Sequence, residues 1–163
     1  MIEQTIFYLL AAVALVGTIL AITEKHPVHA IAYLVTTFFS LATIFFLLAA
    51  PLIAMFEVII YAGAVMVLFM FVIMMLDLGR SDEAKRPGVR QWLLPSILGV
   101  IILVSIGTLA VSHPGATHAV GVITVRDFAV TLFQNYGVAI EIISLQLLFA
   151  VVGALYFGRR LKP

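Results

Sequence analysis

Five long apolar stretches alternate with short polar segments along this chain: residues 4–22, 30–50, 52–76, 92–111 and 138–157. Each approaches the roughly 20 apolar residues a helix needs to cross about 30 Å of hydrocarbon. Only Pro51 divides the second from the third. Read as one helix, residues 30–76 would extend about 70 Å at 1.5 Å per residue, more than a bilayer holds. The pattern therefore predicts a tight hairpin around Ala49, Ala50 and Pro51. The first stretch is not a cleavable signal, because it opens with Glu3 and no basic residue and its apolar core is too long. The expectation is an all-α integral membrane protein, one domain over residues 1–163, with five transmembrane helices.

The third stretch is unlike the others. It carries Glu57, Tyr61 and Gly63 within otherwise lipid-like sequence. An acid at the centre of a membrane helix costs roughly 2.5–3.5 kcal/mol on insertion scales. With a helix starting near residue 52, Glu57 and Tyr61 lie about 7.5 and 13.5 Å along its axis. Four residues apart, they share a face, which predicts that this face meets protein or water rather than acyl chains. Apolar surroundings disfavour a charged carboxylate, a setting that suits proton exchange near neutral pH. A neutral acid hydrogen-bonded to a neighbouring helix is the other reading. Gly63, between Ala62 and Ala64, either lets another backbone approach closely or eases a local change from α to π hydrogen bonding. Met66, Met70, Met74 and Met75 read as adaptable packing rather than a metal or cofactor box.

Charge sets the orientation. With five spans, eight of the nine Lys and Arg fall on one side, in the 22–29 and 77–91 loops and the tail, while Arg126 alone falls on the other. The positive-inside rule then places the N-terminus outside and the C-terminus in the cytoplasm. Trp92, after Pro87 and Gly88, suits an interfacial anchor, and Asp77 ends the third helix at the cytoplasmic boundary. In the outer 112–137 loop, Val125, Phe128, Ala129, Leu132, Phe133 and Tyr136 recur at helical spacing, and Thr124 with Asp127 fits a helix-capping pattern. This predicts a short interfacial helix between helices four and five, lying on the membrane or against a neighbour. A surface lid without a specific partner fits the same residues.

Composition narrows the chemistry. Charged residues are 10% of the chain against about 25% in a soluble domain. No basic tract large enough to follow a nucleic-acid backbone is present. Cysteine is absent, which excludes disulfides and thiolate chemistry. Glu141, near the outer start of helix five, stands at roughly the depth of Glu57 in this topology, either as a second proton stop or as an interfacial carboxylate. His26 and His29 fall in one loop region and His113 and His118 in another, so a haem held between two spans is not expected.

The stretch Val58-Ile-Ile-Tyr61-Ala-Gly63-Ala-Val65-Met66-Val-Leu-Phe-Met70-Phe-Val-Ile-Met-Met-Leu76 closely resembles a signature of the J-type membrane subunit of bacterial respiratory complex I, chain 6 in mitochondria. Pro27-Val-His29-Ala-Ile-Ala-Tyr33-Leu agrees as the opening of helix two, and 132–136 with 141–154 resembles the final helix. The resemblance implies five membrane helices and no cofactor bound by this chain, with NADH, FMN, iron–sulfur clusters and quinone used on other subunits. It implies a non-redox role in a proton-translocating NADH:quinone oxidoreductase of the bacterial inner (cytoplasmic) membrane. The implied place is between the quinone-chamber H-type subunit and the antiporter-like N-type subunits, beside the A- and K-type subunits. In the family, helix three changes between α and π-bulged forms around the positions that here are Tyr61, Gly63 and Val65, opening or closing a hydrated proton route. Glu57 would border that route and Glu141 would be a secondary member. The 77–91 loop is trimmed relative to the family. Ferredoxin-, coenzyme-F- and hydrogenase-linked complexes use similar subunits.

Overall fold

The computed structural model describes residues 2–75, 89–112 and 124–158. They form helices, with no strand among them. Among the described residues, five helices are long and apolar enough to cross a membrane: Glu3–Thr23, Pro27–Leu47, Pro51–Met75, Trp92–Leu109 and Gly137–Gly158. The helices are α1 (Ile2–Thr23), α2 (Pro27–Leu47), α3 (Pro51–Phe56), a π-helical segment (Glu57–Val65), α4 (Met66–Met75), α5 (Val89–Ser112), α6 (Val125–Asn135) and α7 (Gly137–Gly158). Asp77, most of the 77–91 loop, His113, His118 and the basic tail Arg159, Arg160 and Lys162 lie outside the described residues. The backbone divides into two compact units, Met1–Val122 and Ile123–Pro163.

In the first unit, α2 begins at Pro27, three residues ahead of the apolar boundary, because proline fits the first helical turn, where its missing N–H costs nothing. Its far end closes the expected hairpin. Ala49 takes φ 58°, its N–H donates to the Phe46 carbonyl at 3.2 Å, and the Ala50 N–H donates to the Phe45 carbonyl at 3.0 Å. That pair of bonds is a Schellman motif, here with alanine at the left-handed position glycine usually takes. Pro51 then opens α3. Two membrane spans are joined in three residues.

Helices α1 and α2 pack closely. Gly17 makes this possible: a Cβ there would lie 2.5 Å from Thr37 Oγ1 and 3.6 Å from the Tyr33 carbonyl oxygen. Small residues let membrane helices approach, since lipid tails supply no hydrophobic drive toward association. Across the same contact, Ser40 Oγ donates to the Leu10 carbonyl at 2.7 Å, and both residues are fully buried. Leu10, Val13, Ala21, Tyr33 and Ile44 form the core here, joined by Leu98 and Ile102 of α5.

The second unit holds α6 and α7. Thr124 caps α6, with its Oγ1 accepting the Asp127 N–H at 3.2 Å and donating to Asp127 Oδ2 at 2.6 Å. This capping was legible in the sequence. The Ile140 N–H donates to the Tyr136 carbonyl at 3.1 Å, where the chain turns from α6 into α7.

Candidate functional site

The third span changes its winding part-way along. At its start the Glu57 N–H reaches the Ile53 carbonyl, four residues back, as in an α-helix. At the other end of the π segment the Met66 N–H reaches the Tyr61 carbonyl, five residues back. Between them nine residues, Glu57–Val65, are wound as π-helix. Such segments are rare and usually amount to a single turn, often at functional sites. This one accommodates one extra residue in all, where Ala62, Gly63 and Ala64 keep side-chain bulk low. A Cβ on Gly63 would lie 3.2 Å from the Val58 carbonyl oxygen, five residues back.

The segment leans on α2. The Phe38 and Tyr61 rings stand 5.5 Å apart at 37°, within the range of favourable offset aromatic pairs. Just beyond the segment, Met66 is buried, with Met70 and Ile73 half-buried on the same stripe of α4. Glu57 is half-buried, while Tyr61 remains 48% exposed, so the segment's other flank is open within this chain.

Four of the five residues singled out in the sequence, Glu57, Tyr61, Gly63 and Val65, thus fall in one continuous π segment. The segment reaches further upstream than a bulge at Gly63 alone would, and starts at the carboxyl-bearing residue itself. Glu141 stands in the second unit on α7, exposed, and its carbonyl accepts the Ser144 hydroxyl at 2.8 Å.

Sequence reading missed a polar line along α2. His29, Tyr33, Thr37, Ser40 and Thr43 are all buried. Their spacing of three and four residues was the available signal, since it places them on one helical stripe. The Thr37 and Thr43 hydroxyls donate to the carbonyls of Tyr33 and Phe39 at 3.0 and 2.9 Å, while Ser40 bonds across to α1. His29 packs edge-on against Trp92, with ring centroids 5.4 Å apart. The line serves packing between helices, with its Thr and Ser hydroxyls satisfied.

These features define a class: a multi-span membrane subunit with a carboxyl group placed at a π-wound stretch of a central helix. The chain matches the family model for NADH-ubiquinone/plastoquinone oxidoreductase chain 6 over residues 17–157. It is 38% identical over 160 residues to the NADH-quinone oxidoreductase subunit J of Pseudomonas aeruginosa, covering 94% of this chain and 95% of that one. The subunit J of Escherichia coli K12 is 39% identical over 158 residues, 94% of this chain and 85% of the relative. The Buchnera aphidicola protein from Schizaphis graminum is 32% identical over 162 residues, 98% and 99% of the two chains. The chain belongs to the complex I chain 6 (subunit J) family and is a membrane subunit of that kind.

Proposed function

We propose that this chain couples quinone reduction elsewhere in a proton-translocating NADH:quinone oxidoreductase to proton movement, through a change between π and α winding in its third span. The observation that carries the reading is the nine-residue π segment with Glu57 at its first position and Gly63 within it. Removing the bulge from a helix of fixed sequence turns everything downstream by one residue, about 100°. The stripe of α4 toward α2 would pass from Met66, Met70 and Ile73 to Val65, Phe69 and Val72. Thioether side chains suit such exchange because they repack at low cost. The rotation would change what stands beside Glu57, and with it access of water and protons to the carboxyl group.

In this reading the chain binds no cofactor, and NADH, FMN, iron–sulfur clusters and quinone work on other subunits. Its neighbours are the H-, A-, K- and N-type membrane subunits, and it is a multi-pass protein of the bacterial inner membrane with its N-terminus outside and C-terminus inside. Glu141 is a secondary proton stop, and α6 lies along the outer interface. Redox chemistry drives the change only by differing in its interaction with the two windings. Moving the balance from 1:99 to 99:1 takes about 5.5 kcal/mol of such difference.

A purely structural joint between two working modules is the competing role, and the half-buried Glu57 is what speaks against it, since a filler has no use for a costly acid. Gly63→Val tests the reading. A β-branched side chain there restricts the backbone and crowds the Val58 carbonyl, so the complex should assemble yet lose proton pumping linked to quinone turnover. Wild-type coupling in an assembled Gly63→Val complex refutes the switch.

A further inference from the structure

An apolar groove of about 490 Å³ opens between α2, the third span and α5. Its wall includes Val28, Thr36, Ala62, Met66, Met70 and Trp92. Thr36 offers it little polarity, because its hydroxyl donates to the Ala32 carbonyl at 2.8 Å. From Val28 to Thr36 the groove runs about 12 Å along α2.

One end of the groove is marked as a membrane surface. The contact between His29 and Trp92, 5.4 Å between centroids, sets the starts of α2 and α5 at one level. Tryptophan is enriched at that level. The positive end of the α5 dipole lies at that level and favours an anion. Lys25 is exposed three positions before Val28, and Arg90 stands in the first turn of α5, two positions before Trp92. The nearby acid, Glu24, is turned to its own loop, where Oε1 accepts the Lys25 and His26 N–H groups at 3.1 and 3.2 Å.

We propose that this groove holds an acyl chain of an anionic phospholipid, with the phosphate near Lys25 and the first turn of α5. Exposed Lys25 at the membrane-surface level favours a charged headgroup over the apolar face of a helix. A hydrocarbon chain is thin and flexible enough to enter, and the charge at the mouth selects the headgroup. The inference does not depend on the coupling role, and its test reads lipid contact rather than turnover.

The test uses the intact complex in proteoliposomes containing trace phosphatidylglycerol with a photoreactive group in its acyl chain. Parallel samples carry the same group on phosphatidylcholine. Phosphatidylglycerol should label peptides containing Met66, Met70 or Ser96, and Ser96→Phe, which fills the groove, should abolish that label in an assembled complex. Lys25→Gln should lower the preference for phosphatidylglycerol about fivefold, the factor for roughly 1 kcal/mol per basic residue near a membrane surface. Should Ser96→Phe fail to assemble, Ala32→Leu narrows the same groove and is read in the same way. Equal labelling by the two lipids, labelling insensitive to the filled groove, or cross-links from the groove only to another subunit each overturn the proposal.

Discussion

Gly17 and Thr37 meet so closely that a single added carbon on the glycine would lie 2.5 Å from the threonine hydroxyl oxygen. Thr37 is not free to withdraw, because that hydroxyl donates to the Tyr33 carbonyl at 3.0 Å. Gly17→Ala should therefore cost about 1–3 kcal/mol, the usual range for overpacking, and Gly17→Leu should stop α1 and α2 from pairing. Thermal retention of the subunit in the solubilised complex measures this. Adding Thr37→Ala to Gly17→Ala should recover much of the loss, and a purely additive double variant would place the strain elsewhere.

The Ser40 to Leu10 bond makes a second, independent demand on the same pair of helices. Ser40→Ala removes a buried 2.7 Å bond across the interface without adding bulk. The expected loss is about 0.6 kcal/mol, and no more than roughly 1.7, as for other side-chain bonds between membrane helices. Steric-trapping measurements of α1–α2 separation resolve it.

At the hairpin the expected sign is reversed. Ala49 holds φ 58°, where an L side chain is crowded. Ala49→Gly should stabilise the turn by roughly 1 kcal/mol, the penalty left-handed backbone imposes on non-glycine residues. Ala49→Val should destabilise it and lower the yield of assembled complex. Equal yields from all three residues would mean that the turn does not limit assembly.

Tyr61 separates packing from proton handling. Tyr61→Ala loses the ring pair with Phe38, worth about 0.5–1.5 kcal/mol. Tyr61→Phe keeps the ring and deletes only the hydroxyl. Proton pumping per quinone reduced, measured in both, assigns the residue: loss in both variants points to the hydroxyl, and loss in alanine alone points to support of the π winding.

Glu57→Gln keeps shape and hydrogen-bonding capacity while removing the exchangeable acid. Under the coupling reading, turnover-linked pumping should fall several-fold with the complex assembled. An unchanged pumping ratio would favour the structural joint.

Much of this architecture was readable from the chain because it rests on local or length arguments. The three-residue hairpin followed from a stretch too long for one crossing, and the α6 cap from Thr124 with Asp127. The start of α2 at Pro27 lay beyond the apolar boundary, since hydropathy marks where lipid begins and not where a helix does. Gly63 announced a weak point in the third span, but not a π segment reaching back to Glu57. The register of backbone bonds depends on tertiary surroundings that local sequence does not carry, and the Phe38 ring against Tyr61 is one contact of that kind. The buried line from His29 to Thr43 was visible as spacing and invisible as burial, because packing against α1 and, at His29, against Trp92 of α5 decides which stripe of α2 faces inward.

That last stripe bears on how the protein is made. Three polar side chains of that stripe, Tyr33, Thr37 and Ser40, would meet hydrocarbon if α2 left the translocon unaccompanied. Its predecessor, already carrying the glycine notch, offers the shelter they require. The first two segments should consequently enter the bilayer as a couple, giving the later spans a finished wall to fold against.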